Sequence, residues 1–141
     1  MNILSHENVL EDGTLTGGEP DEFALAELKE AGFKTLISLR GIGESPFEGA
    51  HFESQGFEFV HLPISGPADF TPDFIAAFDR ALTEAEGKTV VFCATGNRVG
   101  AAFALHGHHM KGLSKEEALA FGMSAGLTRL AGFVQQHLNA L

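Results

Sequence analysis

The 141-residue chain has no tryptophan, no tyrosine, one cysteine, and only nine lysines and arginines against nineteen acidic residues. Each shortage closes something off. The lone cysteine, Cys93, cannot form an intramolecular disulfide, which fits a reducing compartment. A net charge of −10 leaves no basic stripe for a nucleic acid and nothing to hold the chain on an anionic membrane. Any anion it binds must be small and held in a local pocket. No apolar run approaches the ~20 residues that span a bilayer. The opening "MNILSHENVL" has neither the basic start nor the apolar core of an export signal. The expectation is a soluble, cytoplasmic protein in which residues 1–141 make one domain. What the chain does have is apolar bulk. Thirteen phenylalanines read as core filler, and hydrophobic residues at 44% suffice for one core without disulfide or metal staples.

Strand and helix signals alternate. "NVLEDGTLTGG" reads as two short strands around an Asp12-Gly13 turn. "PDEFALAELKEAGF" has Pro20 in front and Gly32 behind, the marks of a helix, with Phe23, Leu25 and Leu28 expected on its buried side. "KTLISLR" and "FEFVHLPI" are strands, and 47–55 is a short helix. Thr71 and Pro72 open a helix running to about Glu86. "KTVVF" is apolar throughout, as in a sheet covered on both faces. Helices at 97–111, 114–124 and 127–139 finish the chain, with a capping box at Ser114 and Glu117. The fold class expected is α/β, a mostly parallel sheet flanked by helices. Such sheets bind ligands beyond the carboxyl ends of their strands. Arg40, His61 and Cys93 all sit at those ends.

The stretch "KTVVFCATGNRVGAAF" carries the chemistry. Taken alone, Cys93 reads as a core residue at a strand end. Strand, Cys-x-x-Gly-x-Arg and apolar helix together read as a nucleophile in an anion-binding loop. The loop residues Ala94, Thr95, Gly96 and Asn97 turn amides inward, and the following helix adds its positive end. Gly96 permits the curl, and Arg98 offers a planar fork for two oxygens. A field that holds an anion also favours a thiolate. Cys93 is expected partly exposed, poised for covalent transfer.

"VVFCATGNRVGAAFAL" resembles the active-site loop (P-loop) of the cysteine-based phosphatase and rhodanese superfamilies. "LTGGEPDEFALAELKEAGFKTLISLRGIGE" and "GFEFVHLPI" resemble the beta-lactamase hydrolase-like protein family, in its phosphatase-like domain. The resemblance covers nearly the whole chain. It implies a protein-tyrosine-phosphatase-like fold with Cys93 as nucleophile and Arg98 as anion-binding arginine. Familiar members have one more residue between cysteine and arginine than the four here. They place histidine before the cysteine, where this chain has Phe92, and Ser or Thr after the arginine, where it has Val99. The four-residue spacing resembles rhodanese-type sulfurtransferases.

A phosphatase also needs a general acid. The loop "SGPADFTPDF" offers Asp69 and Asp73, and Asp69 is the choice because it lies outside the expected helix. Arg40 either adds positive charge to the site or pairs with Glu44 in its own loop. His61 reads as a hydrogen-bonded strand-end residue. "HGHHM" reads as a partly solvated helix end; no metal ligand set and no cofactor are expected. The first function expected is a cysteine-dependent phosphatase working through a phosphocysteine on a small anionic or phosphorylated substrate. A sulfurtransferase carrying a persulfide on Cys93 is the alternative, and a non-catalytic anion- or partner-binding module is the third.

Overall fold

The computed structural model describes residues 2–139. Met1, Ala140 and Leu141, which the one-domain expectation includes, lie outside the described residues. The strands are β1 (Asn8–Val9), β2 (Leu15–Gly18), β3 (Phe33–Ser38), β4 (Glu58–His61) and β5 (Lys88–Cys93). The helices are α1 (Glu22–Glu30), α2 (Gly49–Ser54), α3 (Pro72–Glu84), α4 (Asn97–Lys111), α5 (Lys115–Ser124) and α6 (Ala131–Asn139). One sheet has the order β1-β2-β5-β3-β4. Only β1 runs antiparallel, as the hairpin partner of β2. The α/β expectation therefore holds, and the strands leading to Arg40, His61 and Cys93 are neighbours.

Alternation along β5 sorts the core into two layers. Val90 and Phe92 face a cluster with Leu25 and Leu28 of α1 and Phe52 of α2. Val91 and Cys93 face the other cluster, built with α3, α4, α5 and α6. Both faces are covered, which is why β5 is apolar at every position after Thr89. The caps follow the sequence. Asp21 accepts from the Ala24 amide at 2.8 Å, Thr71 accepts from Phe74 at 3.1 Å, and the box of Ser114 and Glu117 is closed from both sides. β4 stops at His61, where Pro63 interrupts the ladder; Leu62 and Ile64 still donate to Ser38 and Leu39.

Two expectations about burial fail. Phe23 is 82% exposed, and Ala24 joins Leu25 and Leu28 on the buried side of α1. Two residues before Leu25 is more than half a turn away, so Phe23 points to the opposite face. In the histidine run, His106 is 3% exposed, not solvated. Its Nε2 meets Asp79 Oδ1 of α3 at 2.8 Å. His108 and His109 do lie at the open end of α4. Among the described residues no side chains gather in a metal-holding group, and no helix is long and apolar enough to cross a membrane.

Helix α4 crosses the 122–127 turn at backbone distance. A Cβ on Gly100 would collide with the Leu127 amide, and would stand 2.5 Å from Leu127 Cα and 2.7 Å from the Gly122 carbonyl. These are backbone atoms, so the helix must move. Gly100→Ala should cost about 1–3 kcal/mol through overpacking. Gly132, in α6, has nothing within 4 Å of such a Cβ, and Gly132→Ala should add about 0.5–1 kcal/mol of stability. Urea midpoints of the two variants should therefore move in opposite directions. Midpoints moving together would mean that the 122–127 turn does not press on α4.

Candidate active site

Because β2, β5, β3 and β4 run parallel, their carboxyl ends share one edge. Cys93 closes β5 there, and the chain turns through Ala94, Thr95 and Gly96 into α4. Gly96 takes φ 85°, the left-handed region. Its amide thereby comes back onto Cys93 and donates to Sγ at 3.1 Å. The first amides of α4 have no acceptor within their own helix and leave the positive end of its dipole at the loop. Cys93 is 1% exposed, so the expected partial exposure is overturned. The sulfur belongs to the core face of β5 and lies beneath its own loop.

Asn97 does not turn its side chain to the loop's interior. Its Oδ1 accepts from the Thr128 amide at 3.0 Å, the Thr128 hydroxyl at 3.2 Å and the Leu130 amide at 3.1 Å. Only its backbone is left to serve an anion. On the other side of the loop Gly18, paired in register with Cys93, leaves room for the Ala94 carbonyl, which a Cβ there would meet at 2.7 Å.

Arg98 lies on the first turn of α4 and is held from across the edge. Its Nη1 donates to Glu44 Oε1 at 2.7 Å and to the Ile64 carbonyl at 2.8 Å; its Nη2 donates to Glu44 Oε2 at 2.7 Å. A guanidinium has five N–H donors. Three are taken, which leaves the Nε–H and one Nη2–H, a parallel pair on the side of the group. The fork expected for two oxygens of an anion is thus this side edge, while the end edge grips Glu44. The Glu44 bonds hold Arg98 more firmly protonated than usual against the opposing effect of burial, and the charge of Cys93 adds to this.

Glu44 was considered from sequence only as a partner of Arg40, and the structure makes it the centre of the edge. Its Oε1 also accepts from the Gly41 amide at 2.8 Å. Arg40 Nη2 donates to the Glu44 carbonyl at 3.0 Å, and Arg40 Nε lies 3.2 Å from Glu44 Oε2. Of the two readings of Arg40, pairing within its own loop is what the contacts show. Its charge reaches Arg98 only through the carboxylate they share. Glu19, just past β2, was missed altogether. Its Oε1 is buried, with Arg40 Nε 3.7 Å away and no aligned hydrogen bond. His61 joins the Arg40 carbonyl through Nε2 at 2.7 Å, the structural role expected of it.

Asp69 ends a short 3₁₀ turn, Pro67–Asp69, in the loop that follows Ile64. Its Oδ2 accepts from the Ser65 amide at 2.7 Å and the Gly66 amide at 3.2 Å. The carboxylate thus braces a loop that abuts Arg98 at Ile64 and Gly41 at Ser65. Asp73 is in α3, as expected of it.

The edge thus holds a buried thiol under a helix-capping loop with an arginine beside it, and comparison with known proteins places the fold that carries it. The family model of the beta-lactamase hydrolase-like protein, phosphatase-like domain, matches residues 18–109, and the chain belongs to that family. A beta-lactamase hydrolase-like protein of Agrobacterium fabrum is 28% identical over 116 residues, covering 77% of this chain and 26% of that protein. The Xylella fastidiosa protein of the same name is 27% identical over 115 residues, with the same coverage. The chain spans about a quarter of these relatives. Among solved structures, a Neisseria meningitidis protein superposes with a TM-score of 0.75 at 21% identity, over 100% of this chain and 99% of that one. P. aeruginosa TpbA, solved with pTyr, gives 0.66 at 17% identity, over 89% and 85%. These structural likenesses show the fold.

The hydrogen bonds from Arg98 pull Glu44 down from its ordinary 4.5 to about 2, against burial, with help from the Gly41 amide and the charges of Arg98 and Arg40. The folded value lies below the unfolded one, so the stabilisation is complete above about 4.5 and is lost as pH falls towards 2. Glu44→Gln should therefore be less stable than the parent at pH 7. The gap should narrow below pH 4.5 and close near pH 2. Chemical denaturation across that range reads the gap; a gap independent of pH would mean that the carboxylate charge does not secure Arg98.

Proposed function

We propose that the chain is a cysteine-dependent phosphatase-type hydrolase. The observation that carries the reading is the guanidinium of Arg98, fixed at one edge by Glu44 and left with two parallel N–H donors, next to the thiol of Cys93. The backbone amides of Ala94, Thr95, Gly96, Asn97 and Arg98 complete the cradle, with Arg40 supporting it through Glu44. The substrate is a small anionic or phosphorylated molecule; family membership and the presence of TpbA among the fold's relatives support phosphate.

The Cys93 thiolate attacks phosphorus, forming an S–P bond as the P–O bond to the leaving group breaks. Asp69 gives its proton to the departing oxygen. Water, deprotonated by the same carboxylate, then attacks phosphorus; the S–P bond breaks, releasing phosphate and restoring the thiolate. Asp69 must exchange its bonds to the Ser65 and Gly66 amides for this duty, so its 65–69 loop has to rearrange when substrate binds.

One feature favours sulfur transfer: the four-residue loop, a ring that suits a persulfide sulfur. A parallel assay separates the two. Purified protein should hydrolyse an aryl phosphate and release little thiocyanate from thiosulfate and cyanide, and Cys93→Ser should abolish the hydrolysis. Thiocyanate release without phosphate release would overturn the proposal.

Asp69→Asn should slow a phosphate ester with a poor leaving group by about 10²–10⁴-fold, the usual contribution of a positioned acid, and spare one with a good leaving group. Equal rates for parent and variant on both esters would exclude Asp69 as the acid.

A further inference from the structure

A cavity opens well away from Cys93. It holds about 690 Å³ and lies at the opposite edge of the sheet, where Lys88 and Thr89 open β5 and the 10–14 turn leads into β2. Cys93 is five residues further along β5, about 16 Å away at strand rise. The volume falls within the range that small organic ligands occupy.

Its polar floor pairs a buried histidine with a carboxylate that is 34% exposed. His106 is 3% exposed, and its Nε2 meets Asp79 Oδ1 at 2.8 Å. A carboxylate only accepts, so Nε2 carries the hydrogen. Neither Nδ1 nor Asp79 Oδ2 has a protein partner among the described hydrogen bonds, and both residues line the cavity. Asp79 Oδ2 is therefore an acceptor left for a ligand's donor. Its walls are apolar, with Leu82 on one side and Phe103 and Phe121 on the other.

The charge at the mouth has the same sense. Glu11 and Asp12 stand on the rim beside Asp79. Of the two lysines there, Lys88 is engaged elsewhere, its Nζ donating to the Ala31 carbonyl at 3.0 Å and lying 5.2 Å from the centre of the Phe33 ring. Three carboxylates thus face two lysines, of which only Lys111 is not turned to another partner.

We propose that this cavity is a second binding site, taking a small amphipathic amine: an ammonium group on the Asp79 carboxylate, with an apolar ring between Leu82 and the two phenylalanines. The site is independent of the chemistry at Cys93.

The test is an NMR titration of the whole protein with 2-phenylethylamine, and with phenylacetate as an anion of similar shape. The amine should give saturable shifts at the amides of Asp79, Leu82, His106 and Lys111 and leave Ala94 to Arg98 unmoved. Phenylacetate should give none. Asp79→Asn should weaken the amine by about tenfold or more, as expected for a lost charged hydrogen bond. Leu82→Trp, which fills the cavity and leaves the Asp79–His106 pair in place, should abolish binding, with the dispersion of the amide spectrum reporting that each variant is folded. The proposal is overturned by an absence of saturable shifts at up to about 10 mM amine, by equal binding of phenylacetate, or by a folded Leu82→Trp that binds as the parent does.

Discussion

The carboxyl edge of this sheet depends on the bidentate pair of Glu44 and Arg98. The two residues are 54 positions apart, and the pair ties the loop after β3 to the first turn of α4. With both carboxylate oxygens engaged, the guanidinium cannot rotate, so the direction of its two remaining donors is set by Glu44. Glu44 is itself oriented by the Gly41 amide and by Arg40, whose Nε also has Glu19 3.7 Å away. Removing one partner of such a half-buried pair leaves the other charge desolvated without compensation, which costs more than the pair contributes. The edge is therefore a unit of four charged side chains in which a cation or an anion cannot be changed singly.

Much of this was legible in the sequence because it is local. β5 declares itself by an unbroken apolar run, the loop by Gly96, and the helices by Asp21, Thr71 and Ser114 in front of them. Convergence at one edge was also legible, since parallel strands force their carboxyl ends together. Long-range pairing was not. Glu44 and Glu19 look like ordinary loop acids until the strand order places β2 and β3 on either side of β5. In a chain so poor in positive charge, Arg40 just after β3 and Arg98 in the loop-to-helix turn after β5 were the available signal that carboxylates would be drawn there. His106 misled for the same reason: its partner, Asp79, is 27 residues away on another helix, and the neighbouring His108 and His109 really are at the open end. Phe23 follows its angular position on α1 and not its apolarity.

The sheet treats its two edges differently. At the carboxyl edge Arg40 and Arg98 are matched by Glu19 and Glu44 beside the helix amides, and the thiol sits beneath them. At the amino edge the carboxylates of Glu11, Asp12 and Asp79 share the apolar-walled cavity with Lys88 and Lys111. Parallel strands make this separation possible, because every crossover returns the chain to the same starting edge and each end is built from its own set of loops.

The short loop follows from the same lock. With four residues between Cys93 and Arg98, the loop has one fewer amide to offer an anion than the longer version. It cannot widen to compensate, since the Asn97 side chain is clamped by three donors from 128–130 and Gly96 is turned onto Sγ. In the proposed cradle the backbone would thus set the size of the anion, and the share of charge that amides leave unmatched would fall to the side edge of Arg98. The shorter the loop, the more the recognition of an anion rests on the arginine, and the more the arginine rests on Glu44.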